Sequence, residues 1–195
     1  LLNHAERPMI ISGHGVMIAG AEKELQTLAE KADIPVAATL LGLSTMPSDH
    51  PLYKGMLGMH GNIGPNYNTN RADVILAIGM RFDDRVTGRL DRYAPQAKII
   101  HIDIDSSEFN KNVKAALTIH ADARQALEAL LPKINCARHA EWLDSFTPCE
   151  KVETEKVINP EVHPGDGMMK MGEVVDRVSR AFHDRAIGVT DVGQN

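Results

Sequence analysis

Aromatic side chains are scarce in this sequence: Phe, Trp and Tyr make up 4% of 195 residues, with one tryptophan. Nucleic-acid surfaces combine basic patches with stacking rings, and this chain has no basic tract and a net charge of -5. A nucleic-acid partner and an anionic-membrane surface are both disfavoured. No apolar run approaches the roughly 18 residues that a bilayer span needs. The opening "LLNHAERPMI" lacks the basic start, apolar core and cleavage site of a signal peptide. A cytoplasmic location is therefore the expectation. Cys136 and Cys149, the only cysteines, are too few for a disulfide framework and share no CxxC spacing, which points to reduced, incidental thiols. The nine histidines include no HxH or HExxH pair, so no metal is assigned.

What is present suits a soluble α/β protein. A hydrophobic share of 43% can fill a complete core at this length. The apolar runs alternate with helical periodicity. "PMIIS" (Pro8–Ser12) reads as a strand, "AGAEKELQTLAEKAD" as a helix with Leu25, Leu28, Ala29 and Ala32 on one face, and "PVAATL" as the next strand. "DVILAIG", "KIIHIDI" and "LTIHA" are further strands. "DARQALEALLPKI" is a helix with Asp122 as N-cap and with Leu127, Leu130, Leu131 and Ile134 facing inward. Strands apolar on both faces, separated by helices, predict a Rossmann-like three-layer α/β/α domain with a mostly parallel sheet.

After Ile134 the character changes. The stretch from Cys136 to Gly167 is charged, proline-containing and without strand pattern: a helix from Ala137 to about Lys156, then a linker. "MMKMGEVVDRVSRAFHD" returns to helical spacing, with Met171, Val174, Val175, Val178 and Phe182 on one face, and "AIGVT" reads as a strand. The expected division is a domain over 1–134, a helix and linker over 135–168, and over 169–195 the first helix and strand of a second α/β domain. The uncapped helical fragment "LLNHAE" and the final "AIGVTDVGQN", halting after a strand, read as the ends of an excised piece.

Four stretches sit at strand ends, where open α/β sheets place ligands. "SGHGVMIAGA" puts Gly13 and Gly15 after the first strand, but its spacing is not G-x-G-x-x-G, and a purely structural turn reads equally well. "TLLGLSTMPSDHPLYKGMLGMHGN" mixes glycine and methionine in a long loop, suited either to a flat aromatic ligand or to covering the core. "GMRFDDRVTG" sets two arginines and two aspartates around Phe82, a ligand loop or a self-neutralising solvated one. "HIDID" offers Asp103 and Asp105, which can accept ribose hydroxyls or cap a helix.

In order and spacing, "GMLGMHG", "RFDDRVTG" and "HIDID" resemble the central domain of the acetolactate synthase (acetohydroxyacid synthase) large catalytic subunits, and the likeness runs from "RPMIISGHGV" to "TDVGQN". Members of that family are thiamine-diphosphate enzymes of branched-chain amino-acid biosynthesis. They join two pyruvates, or pyruvate and 2-ketobutyrate, with loss of carbon dioxide. The resemblance implies that this piece holds FAD structurally, with no net redox role. Carried over by position, the FAD-lining residues are Gly13, His14 and Gly15; Thr39 and Leu40; Leu57, Gly58, Met59 and His60; and Gly79, Arg81, Asp83, Arg85 and Val86. Asp103, Ile104, Ala121, Asp122 and Ala123 would surround the adenosine half.

Asp84 and Arg85 fall at the family's substrate channel, where a guanidinium can pair with a 2-ketoacid carboxylate. Val192, Gly193, Gln194 and Asn195 would begin the thiamine-diphosphate site. Three positions depart from the family: His14 stands in a glycine triplet, Ala121 replaces glycine, and Asn195 replaces the usual histidine. The activating glutamate and the magnesium site belong to other domains of the family, so no catalytic residue is assigned here. "HPGDGMM", with its Gly165-Asp166-Gly167, precedes a helix and reads as linker. A homo-oligomer and a small regulatory subunit are the implied partners. Three other readings stand beside this one: a related scaffold domain without FAD, a nicotinamide dehydrogenase and a pure assembly module.

Overall fold

The computed structural model describes residues 1–165, 167–183, 185 and 187. Six strands form one all-parallel sheet: β1 (Pro8–Ser12), β2 (Val36–Ala38), β3 (Tyr53–Met56), β4 (Val74–Ile78), β5 (Lys98–Asp103) and β6 (Leu117–His120). Their spatial order is β3-β2-β1-β4-β5-β6. The helices of this part of the chain are α1 (His14–Ile18), α2 (Glu22–Ala32), α3 (Ile63–Thr69), α4 (Asp84–Thr87), α5 (Ala123–Leu130) and α6 (Ala140–Asp144).

Because side chains alternate across a strand, the apolar runs divide between two cores. On one face, Ile10, Leu76, Ile78, Ile100 and Ile102 meet Leu25, Leu28 and Ala29 of α2 and Ala126 and Leu127 of α5. On the other, Met9, Ile11, Ile75, Ala77 and Ile99 meet Phe82, Tyr93, Trp142 and Phe146. The result is the expected three-layer arrangement. Asp122 caps α5 as expected, its carboxylate accepting from the backbone N–H groups of Arg124 (2.9 Å) and Gln125 (3.2 Å). The α-helix stops at Leu130, however, and Pro132 sits in a 3-10 turn, Leu131–Lys133, because proline has no N–H to continue the ladder.

Three parts differ from the sequence reading. β3 arises inside the stretch read as a long loop, and α3 lies just after it, in residues assigned no element. β3 is a short edge strand that contains Gly55 and is half-exposed throughout, so it carries no apolar alternation. β2 ends at Ala38, where Thr39 begins a 3-10 turn, Leu40–Gly42. The single helix expected from Ala137 is broken into α6 and α7 (Thr147–Glu153), followed by a π-helical turn, Thr154–Ile158.

The first of two compact units spans Leu1–Cys149, the second Glu150–Asn195. The first unit continues past residue 134 because Trp142 and Phe146 are buried in its second core, edge to face at 5.3 Å. Trp142 Nε1 donates to Pro8 O at 2.7 Å. His139, just before α6, turns its ring toward Ala5 O (3.1 Å) and Ala32 O (3.0 Å), while its backbone N–H donates to the Asp33 carboxylate at 2.7 Å. In the second unit, α8 (Asn159–Val162) packs on α9 (Met171–Ala181). The stripe Met171, Val174, Val175, Val178 and Phe182 is 38–61% exposed there, since one short neighbour cannot cover it. The strand expected over 186–190, apart from Ile187, and Val192, Gly193, Gln194 and Asn195 lie outside the described residues.

Trp142→Ala removes a buried ring and leaves Pro8 O without its donor. It is expected to cost about 3–5 kcal/mol, read from denaturant unfolding followed by circular dichroism. A chain ending at residue 134 is expected to lose cooperative unfolding altogether, whereas one ending at 149 keeps it.

Candidate functional site

The chain leaves β1 toward β2 on one side of the sheet and β4 toward β5 on the other, so the loops diverge above the β1/β4 pair. This divergence leaves a crevice at the strand ends. Its floor is backbone against backbone. Gly13 N donates to Ile78 O (2.9 Å), Gly15 N to Gly79 O (3.0 Å), and Gly79 N to Ile102 O (2.8 Å). A Cβ on Gly13 would lie 2.2 Å from Gly79 O, and one on Gly79 would lie 2.6 Å from Gly15 Cα. Gly79 also has φ +56°, a left-handed conformation that disfavours side chains.

Above this floor lies a cleft of about 460 Å³. The structure brings most of the sequence-predicted positions to its wall: His14, Gly15, Thr39, Leu40, Gly79, Arg81, Asp83, Arg85, Val86, Asp103, Ile104, Ala121, Asp122 and Ala123. His14, at the odd position of the glycine triplet, points Nδ1 at Leu41 O (3.0 Å) and so ties the β1 turn to the turn after β2. Ile18, Leu41, Met80 and Ile102 line the cleft too and were not anticipated. A signal existed for Leu41 and Met80, each adjacent to a predicted position. Ile18 had none, because α1 is too short to display periodicity. Ile18, Leu40, Leu41 and Ile104 are 67–76% exposed, an apolar rim that only a ligand or another surface would cover.

The "RFDDR" segment resolves into separate tasks. Phe82 is buried, edge to face with Tyr93 (5.9 Å) and with His101 (5.1 Å), which anchors the loop in the core. His101 Nε2 lies 2.9 Å from Met80 O and holds the preceding peptide from β5. Asp83 is the N-cap of α4, its Oδ1 accepting from Arg85 N (3.1 Å) and Val86 N (3.3 Å). Its other oxygen lies 3.6 Å from Arg81 Nη2. Arg85 therefore takes its backbone position from Asp83.

Acidic residues at the other strand ends are also partly engaged by backbone. Asp103 Oδ1 accepts from Asp105 N at 2.8 Å, and its Oδ2 lies 3.9 Å from His101 Nε2. Asp105 caps a 3-10 turn, Ser106–Glu108; its hydrogen bonds to Ser107 hold its carboxyl below the ordinary aspartate range. Asp105 does not reach the wall, whereas Asp103 does.

Gly13 lies beneath the cleft, and Asp84, Leu57, Gly58, Met59 and His60 stand outside its wall. The last four form a loop that braces the wall from behind: Met59 N donates to Arg85 O at 2.8 Å, and Arg85 Nη1 reaches Met59 Sδ at 3.8 Å. Among the described residues no group of three His, Cys, Asp or Glu is placed to hold a metal ion. No described helix is long and apolar enough to cross a membrane.

Comparison with known proteins agrees with this geometry. The family described as "Thiamine pyrophosphate enzyme, central domain" matches residues 1–130. Over its full length the chain is 42% identical to the probable acetolactate synthase large subunit of Methanocaldococcus jannaschii. It is 38% identical to the acetolactate synthase isozyme 1 large subunit of Escherichia coli and 37% identical to the large subunit of Corynebacterium glutamicum. The chain spans about a third of the length of these relatives, 34%, 34% and 31% respectively. A parallel sheet in the order β3-β2-β1-β4-β5-β6, a glycine-floored cleft at its switch point and this match together place the chain in the thiamine pyrophosphate enzyme family, with residues 1–130 matching its central domain.

Proposed function

We propose that the chain is the FAD-carrying part of an acetolactate synthase large subunit. The observation that carries this reading is the apolar-rimmed cleft built on the Gly13/Gly15/Gly79 backbone contact. FAD is long and amphiphilic, with flat rings at both ends and an anionic centre. The residues present fit that chemistry. Ile18, Leu40, Leu41 and Ile104 offer apolar surface to rings, Arg81 offers a cation, and Asp103 offers a carboxylate oxygen able to accept from a ribose hydroxyl. A side chain at Gly15 or Gly79 would displace the neighbouring backbone and close the floor. In this reading the flavin, when bound, supplies a rigid ring system to the site and no net redox step.

Within the complete enzyme, Arg85 is the residue proposed to meet the 2-ketoacid carboxylate, with Asp84 beside it at the channel. Both lie at the start of α4, fastened by the Asp83 cap. The condensation of two pyruvates, or of pyruvate and 2-ketobutyrate, would use thiamine diphosphate and magnesium held by other parts of the enzyme. Val192, Gly193, Gln194 and Asn195 are proposed to open the diphosphate site. The relatives are called large subunits, which supports a smaller companion subunit, and a homo-oligomer of the large subunit is proposed with it.

The direct test is a titration of the purified 195-residue chain with FAD, followed by quenching of flavin fluorescence. Saturable binding is expected, together with no acetolactate when thiamine diphosphate, magnesium and pyruvate are supplied. Absence of flavin binding would instead favour a scaffold domain. Asp83→Ala is expected to weaken FAD binding about three- to tenfold through loss of the cap, while Asp83→Asn, which keeps a capping oxygen, stays near the parent. In the complete enzyme, Arg85→Ala should lower kcat/KM for the ketoacid by about ten- to more than a hundredfold, from the roughly 1.5–3 kcal/mol of a charge-assisted hydrogen bond, and should retain its flavin.

A further inference from the structure

Asn66 of α3 lies outside the cleft, yet both ends of its side-chain amide are spent on one residue of the bracing loop. Its Oδ1 accepts from Gly58 N at 2.8 Å, and its Nδ2 donates to Gly58 O at 2.9 Å. A neighbouring strand would pair with Gly58 in the same reciprocal way. The reversed amide would set donor against donor and acceptor against acceptor, so the orientation follows from the partners.

Gly58 needs such a partner. Its φ is +109°, and a Cβ there would lie 2.6 Å from Arg85 O. Gly58 O takes a second hydrogen bond from Gly61 N at 3.0 Å, which fills its acceptor capacity. With Gly58 fixed, the next amide, Met59 N, is aimed at Arg85 O. Asn62 closes the base of the same loop: its Oδ1 accepts from Met56 N and its backbone N–H donates to Met56 O, both at 2.7 Å. A chain of contacts thus runs from Asn66 through Gly58 and Met59 to Arg85, which lines the cleft.

We infer that Asn66 is a positioning residue for the flavin cleft, acting by holding Gly58 so that the Met59–Arg85 backbone contact sets the wall at Arg85 and Val86. The inference rests on reading the cleft as the FAD site, and its test separates the two. Amide hydrogen exchange would be measured on the 195-residue chain with Asn66, with Asn66→Ala and with Asn66→Asp, beside FAD titration by flavin fluorescence. Asn66→Ala is expected to speed exchange at Met59 about tenfold, leave Leu127 in α5 unchanged, and weaken FAD binding about three- to tenfold. Asn66→Asp keeps an acceptor for Gly58 N but sets a carboxylate oxygen against Gly58 O in place of the donor, so it too should speed exchange at Met59, and it carries the test if the alanine variant does not fold.

Unchanged exchange at Met59 in both variants overturns the inference. So does equal acceleration at Met59 and Leu127, which would mark Asn66 as a general stabiliser. Faster exchange at Met59 with unaltered FAD affinity overturns the link to the cleft. If the parent chain fails to bind FAD while Asn66→Ala still speeds exchange at Met59 alone, the positioning of Arg85 stands and the flavin reading falls.

Discussion

The close approach of two backbones at the ends of β1 and β4 is the constraint on which the rest of the site depends. Gly13 and Gly15 meet Gly79 with no room for a Cβ on any of the three. That contact lets adjacent parallel strands release their chains in opposite directions while peptide groups, not side chains, form the floor. A bulkier residue would push the turns apart and shift the loops that rise from them. The cleft is thus a consequence of topology joined to three missing side chains.

On that floor the polar loops are held chiefly by side chains that satisfy backbone groups. Asp83, Asp105 and Asp122 cap short turns or helices, Asn62 and Asn66 close the loop after β3, and His101 holds the peptide after Gly79. Each bond is modest in net energy, but each fixes a backbone segment that would otherwise exchange its partners with water. The charges of "RFDDR" divide accordingly. Asp83 spends its carboxylate on α4 and on Arg81, and that leaves Arg85, a residue of the cleft wall, placed by its backbone, with its guanidinium reaching Met59 Sδ.

How much of this was legible followed the range of the interactions. Five of the six strands, β1, β2, β4, β5 and β6, were readable from apolar runs with flanking breaks, as were the inward face of α2 and the cap at Asp122. These rest on contacts a few residues apart, or on a periodicity that repeats along the chain. β3 escaped because an edge strand of four half-exposed residues repeats nothing. The glycines, Thr39, Asp103 and Asp122 were recognisable as strand-end residues, but that Leu57 to His60 brace the cleft from outside its wall was not.

The sequence by itself therefore determined the fold class, the identity of the main strands and helices, and which strand ends carry glycine and charge, because local periodicity and capping chemistry act over one or two turns. Tertiary structure alone decided that Trp142 would donate to Pro8 across 134 positions, that Arg85 would meet Met59 across 26, and that Asn66 would grip Gly58. Such pairings depend on where parallel strands bring distant loops. A hydrogen bond between two loops leaves no repeating mark in either one, and its partners become neighbours only once the sheet order is set.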